Sequence, residues 1–136
     1  MRGLSVLILV ALPTYLVAQP PTNLSDATKV CIGSMGKSDN ADRFRMLLDE
    51  ELTKAKVPTT EVEGECDAVL TGVLATRTIQ DETAADATVV LRNKDGQRLW
   101  GGDFKTSFWW KSDDVRDRAR AVASALSKAW RRSHKQ

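Results

Sequence analysis

The chain has 136 residues, and if the first 18 are a removable export signal the remainder suffices for one domain and hardly two, which excludes a multidomain enzyme. Hydrophobic residues make up 42% and charged residues 28%, the balance of a chain that packs a core and not of a disordered tail or a collagen-like repeat. A net charge of +2 supplies no whole-molecule field toward nucleic acid or anionic lipid.

Residues 1–18 carry Arg2, an apolar run from Leu4 to Leu12 broken by Ser5, then Pro13 and a Leu16-Val17-Ala18 end, the pattern of a signal peptide. A spanning helix needs about 20 apolar residues, more than this run supplies. No Cys follows closely, so lipid attachment is not expected, and the mature protein is expected to be soluble in the periplasm or secreted. Residues 19–28, with Pro20, Pro21, Asn23 and Ser25, read as a flexible lead, followed by a single domain over 29–133 and a tail at 134–136.

Lys29 to Gly33 is a short apolar run ending in Gly, a strand entering a Gly/Ser-containing loop. Asp39 or Asn40 can cap the helix predicted over Ala41–Ala55, whose Phe44, Leu47, Leu48 and Leu52 share one face. Pro58 follows it, and Thr59 to Val62 has the β-branched content of a short edge strand. Cys66 to Ile79 is the longest β-rich stretch, and Gly72 within it suggests a bulge or a close crossing by the helix above. Strands over Asp86–Asn93 and Gln97–Thr106 flank Asn93-Lys94-Asp95-Gly96, a hairpin signal. Ser112 can cap a second helix with Val115, Ala119, Val122, Ala123, Leu126, Ala129 and Trp130 on one face. The predicted fold is α+β: a single four- to five-stranded mixed or antiparallel sheet with two helices packed on one face.

Cys31 and Cys66 are an even pair, and in an oxidising compartment a candidate disulfide; the competing reading is two buried thiols acting as small hydrophobes. Two isolated cysteines do not complete a tetrahedral metal site, so no metal and no cofactor is expected.

The phrase Cys66-Asp67-Ala68-Val69-Leu70-Thr71-Gly72-Val73-Leu74 resembles the Ala-Asp, apolar, apolar, Thr-Gly strand of the TolB amino-terminal, CsgG and LpoB class of small bacterial envelope domains. Val89 to Trp100 is similar to the hairpin that follows there, and Ala119 to Trp130 sits where that class places its closing helix. The resemblance spans most of residues 29–132 and brings no catalytic motif. It implies a non-enzymatic accessory module of the envelope that docks to a partner or presents a sheet edge. The missing lipid-attachment Cys departs from the lipoproteins among these families.

Candidate chemistry is sparse. His134 is the one histidine, in a basic tail expected to fray and so unable to position a general base. Gly33-Ser34-Met35-Gly36-Lys37-Ser38 is too short between its glycines for a phosphate-binding loop, although its amides offer a weak anion site at the helix start. Asp81, Glu82 and Asp86, or Asp113 and Asp114, would have to converge for a two-carboxylate hydrolase; cap and solvent roles are the commoner use of such residues. No catalytic residue is assigned.

Trp100, Phe104, Phe108, Trp109 and Trp110 crowd eleven positions, and adjacent residues of an extended segment face opposite sides, so one of Trp109 and Trp110 is free to be a binding anchor. The alternative is that one packs under the second helix and the other lies flat on the surface. Trp100, Trp109 and Trp110 are the binding candidates. Lys128, Arg131, Arg132 and Lys135 complement the dipole at the helix end and do not point to nucleic acid. The expected role is an exported binding or assembly-accessory module with a protein or envelope-component partner and at most peripheral membrane contact; the alternative is a small secreted hydrolase or ligand-sequestering protein.

Overall fold

The computed structural model describes residues 21–106 and 113–135. Strand β1 (Val30–Ile32) leads to helix α1 (Asp39–Lys54), then strands β2 (Ala68–Ile79), β3 (Glu82–Asn93) and β4 (Arg98–Phe104), and helix α2 (Asp114–Ser133). Together they form one four-stranded sheet in the order β1-β2-β3-β4. Strand β1 is parallel to β2 and the other pairs are antiparallel, which makes the sheet mixed. The predicted edge strand over Thr59–Val62 reduces to a single bridge between Val30 and Thr59, because the segment turns into a 3-10 turn at Glu63–Glu65.

Both helices follow their apolar periodicity. In α1, Ala41, Phe44, Leu47, Leu48 and Leu52 are buried, and in α2, Val115, Ala119, Val122, Ala123, Leu126 and Trp130 are. These stripes close one core against Leu70, Leu74, Ala87, Val89 and Leu91 of the sheet. Ser38, one residue ahead of the predicted caps, accepts from Ala41 N at 3.1 Å and starts α1. The helix ends with Lys56 in the left-handed region at φ 65°, where Lys56 N donates to Thr53 O and Val57 N to Leu52 O. Asp113 caps α2 by accepting from Arg116 N, while Ser112, the predicted cap, lies outside the described residues.

The β2–β3 hairpin is the main departure from the sequence reading, which began β3 at Asp86. Its ladder runs from Ala68↔Asn93 to Ile79↔Glu82, and Gln80 and Asp81 make the turn with φ of 50° and 68°. No Asn-Gly or Asp-Gly pair marks that turn, and Ala84, Ala85 and Ala87 have low β propensity, so the outer half of β3 is silent in sequence. The second hairpin turns where predicted, with Gly96 at φ 85°.

Gly72 keeps its register opposite Val89 without a bulge, and its close neighbour is β3, not a helix: a Cβ there would sit 2.2 Å from Thr88 O. Gly72→Ala is therefore expected to force the two strands apart and lower stability by about 1–3 kcal/mol, read as a drop in thermal midpoint. An unchanged midpoint would show that the strands separate at no cost.

The chain entering β1 is held by one carboxylate. Asp67 accepts from Thr28 N and Lys29 N at 3.0–3.1 Å and from the Thr28 hydroxyl. Within the segment assigned to a lead, Leu24 and Ala27 are buried in the core. Asn93, also buried, donates through Nδ2 to Pro21 O at 2.6 Å and accepts through Oδ1 from Asp95 N and Gln97 N, joining this segment to the β3–β4 turn.

Candidate functional site

The predicted binding tryptophans divide between described and undescribed parts of the chain. Trp109 and Trp110 lie outside the described residues, and Trp100 lies on β4. Opposite Leu91, Trp100 takes the core-facing side of the sheet, half-buried against the core and 6.2 Å from the tilted ring of Phe104. Both rings stand at the rim of the core because β4 is the last strand. A register shift between Leu91 and Arg92, with Arg98 opposite Arg92, marks where β4 bends toward its turn.

Among the described residues, strand β4 has a neighbour on one side only. Ala85 N points away from β2, since Asp114 Oδ2 takes it at 2.5 Å, and alternation then turns Ala87, Val89 and Leu91 toward β4. Their partners Phe104, Gly102 and Trp100 face inward, so the backbone N–H and C=O groups of Gly101 and Asp103 face outward. Among the described residues nothing bonds to them. At the opposite edge β1 is covered: Val30 N donates to Pro58 O and Val30 O accepts from Thr60 N.

The cysteines are joined. The Cys31–Cys66 disulfide links β1 to the residue two before β2, with Cα atoms 5.6 Å apart. Beside it opens a cleft of about 410 Å³, walled by Arg45, Met46, Asp49, Glu61, Val69 and Lys94. Its two cations are spent on the walls, Arg45 Nε donating to Ile32 O and Lys94 Nζ to Glu63 O. Met46, at the rim, is 72% exposed.

Glu82, Asp113 and Asp114 line a second, open hollow of about 430 Å³ with Asn40, Arg43 and Thr83. Arg43 grips both oxygens of Asp113 and holds its carboxyl below the usual carboxylate range. Asp114 is buried, held between Ala85 N and Arg118. These acids cap a helix and close a sheet edge. Asp113, held ionised by Arg43, is poorly suited to donate a proton at neutral pH.

Asp86 accepts from Thr106 N at 2.7 Å and from Arg77 at 2.8 Å, and these bonds, the backbone one foremost, depress its pKa. Folded pKa values below the unfolded one stabilise above the unfolded value, and that stability is lost as pH falls through the folded values. Acid unfolding is therefore expected to set in below about pH 4, the ordinary Asp range. Asp86→Asn and Asp113→Asn should each lower stability at neutral pH and flatten the acid limb. Parallel acid limbs in wild type and variants would remove these two groups from the account.

His134 is not in a fraying tail, which corrects the reading from sequence. Its ring stacks on Trp130 at 4.3 Å, Nδ1 lies 2.8 Å from Trp130 O, and Nε2 lies 2.7 Å from Ala27 O. The imidazole thus ties the end of α2 to the chain entering β1. In the loop predicted as a weak anion site, Gly33 N donates to Leu70 O and Gly36 N to Ser34 Oγ, while Ser34 O and Met35 O accept from Gly72 N and Leu74 N. No group of three or more metal-ligating side chains occurs among the described residues.

No family model matches the chain. No curated protein matches it either. Among solved structures it is similar to the PelC dodecamer from Paraburkholderia phytofirmans, with 18% identity, a TM-score of 0.58, and 81% of this chain and 93% of that one covered. A point variant of the same dodecamer gives 14% identity and a TM-score of 0.57 over 81% and 92% of the two chains. The lipoprotein GNA1162 from Neisseria meningitidis gives 14% identity and a TM-score of 0.47 over 75% and 98%. The similarity to the PelC chains extends over nearly their whole length and establishes a shared fold.

Proposed function

We propose that this protein is an exported, non-enzymatic module of the bacterial cell envelope that works by assembly, docking to copies of itself or to an envelope component. The observation that carries the reading is the fold shared with a chain that forms a dodecamer. The Cys31–Cys66 bond fits an oxidising compartment, and the apolar run at the amino terminus fits export. Trp100, on the edge strand β4, and Trp109 and Trp110, which follow β4 in sequence, are the contacts in this reading.

Crosslinking in the host envelope, followed by capture of the mature chain and mass spectrometry, tests it. The expected result is a reproducible crosslinked species, either homo-oligomer or partner complex, that Trp109→Ala/Trp110→Ala weakens without unfolding the domain. A chain that stays monomeric and uncrosslinked in the envelope overturns the assembly reading and favours ligand sequestration or hydrolysis.

A further inference from the structure

The geometry points to the β4 edge as a self-complementary interface, at which a second copy of this chain adds antiparallel to β4 with Gly101 opposite Asp103 of the partner copy. This rests on the assembly reading and specifies its contact. The register follows from three independent features of the strand.

Hydrogen bonding comes first. Antiparallel strands exchange paired bonds only between residues that both face the seam, and on β4 these are Gly101 and Asp103. Pairing Gly101 with the partner's Asp103 makes its Asp103 pair with the partner's Gly101, so one twofold axis satisfies both sets of backbone groups. That axis passes through Gly102, where two strands meet with no side chain between them.

Charge on the open face of the sheet comes second. The Arg98 guanidinium lies over Gly101: a Cβ built on Gly101 would meet Arg98 Nη2 at 2.9 Å. Asp103 lies on the same face, accepting from the Thr88 hydroxyl at 2.8 Å. In the proposed register the partner's Asp103 arrives opposite Gly101, beneath that guanidinium, and the pair occurs twice. A shift of two residues that set Asp103 opposite the partner's Asp103 would bring like charges together across the seam.

The aromatic face comes third. Trp100 and Phe104 stand on the core-facing side, half-buried, and the Phe104 ring covers Gly102, where an added Cβ would lie 3.2 Å from Cε2. The same register sets Trp100 opposite the partner's Phe104, so four rings close over the two glycines at the axis. Aromatic cross-strand pairs and rings laid over edge glycines are the devices that pin register in such sheets. An edge strand that stays monomeric is ordinarily short, bulged or guarded by inward charges. Here the central part of β4 is regular, glycine-containing and flanked by apolar rings. A twofold contact of this kind makes pairs, so any larger assembly uses a further surface.

The test combines sedimentation of the mature chain over a concentration series with residue-resolved amide exchange. A dimer is expected, in which the Gly101 and Asp103 amides exchange slowly at high concentration and fast on dilution, while Trp100, Gly102 and Phe104 stay protected throughout. Arg98→Glu and Asp103→Arg, both at exposed positions, should each weaken dimerisation about tenfold or more, and the double variant should recover it. Circular dichroism of each variant confirms that the fold is kept. A chain monomeric at every concentration overturns the interface but leaves docking to another envelope component standing. An oligomer whose Gly101 and Asp103 amides remain fast overturns the β4 contact while self-assembly survives. Single variants without effect, or a double variant no better than the singles, overturn the register.

Discussion

Reducing the Cys31–Cys66 bond, or replacing both cysteines by serine, is expected to cost about 4 kcal/mol of folding stability. The bond spans 35 residues in sequence, and closing a loop of that size removes chain entropy of about this magnitude from the unfolded state. For a domain of this size the loss corresponds to a fall in thermal midpoint of about 15 °C. Local structure directs where the effect appears. The loop it closes contains α1, and the bond sits beside the Asp67 carboxylate that holds Thr28 and Lys29 at the start of β1. Strand β1 is three residues long, too short to hold its parallel register by its own ladder. Urea unfolding with and without reductant measures the difference, and a gap below about 1 kcal/mol would show that Asp67 and the core hold β1 without the bond.

Asp114→Ala is expected to be of similar size, about 3–5 kcal/mol, for a different reason. Asp114 and Arg118 are 5% and 7% exposed, and the carboxylate takes Ala85 N at 2.5 Å while facing Arg118 Nη2 at 3.5 Å. Removing it leaves an edge N–H of β3 unpaired and a buried guanidinium whose Nε already has no partner among the described residues. Arg118 also donates to Lys105 O, so the residue after β4 is held by the same guanidinium that Asp114 faces. Asp114→Asn, which keeps an acceptor for Ala85 N, should cost less than Asp114→Ala. Pairing Asp114→Ala with Arg118→Met should cost less than the sum of the two, because no charge is then stranded. Chemical denaturation of the wild type and these four variants decides it; strict additivity would mean that water reaches Arg118 once Asp114 is gone.

Both helices, the second hairpin turn and the cysteine pair were legible because each is a local pattern. Phe44, Leu47, Leu48 and Leu52 recur at helical spacing, Gly96 supplies a positive φ, and an even pair of cysteines in a chain expected to be exported is a candidate bridge. Their boundaries moved by a residue or two, as caps do when Ser38 and Asp113 compete with neighbouring polar residues. The hairpin at Gln80 and Asp81 was invisible, because two ordinary residues hold positive φ there within a ladder of twelve pairs and not through any preference of their own. His134 shows the same in a polar residue: among basic residues near the end of the chain it read as part of a fraying tail, and the carbonyl that fastens it belongs to Ala27, 107 residues away.

The candidate site divides in the same way. An aromatic cluster beginning at Trp100 is a sequence fact, and a sheet-edge contact was expected from the resemblance to envelope domains. Which edge is left unpaired, and which groups on it face outward, depends on long-range pairing: residues 58–60 cover β1, while among the described residues the last strand has a neighbour on one side only. By itself the sequence determined two amphipathic helices, a β-rich middle and a bridgeable cysteine pair, since periodicity and residue type act over a few positions. Only the tertiary structure decided the four-strand order, the burial of Asp114 and Arg118, and the juxtaposition of Arg98, Gly101 and Asp103 on the edge strand. Those depend on contacts between residues far apart in the chain, whose energies no local pattern encodes.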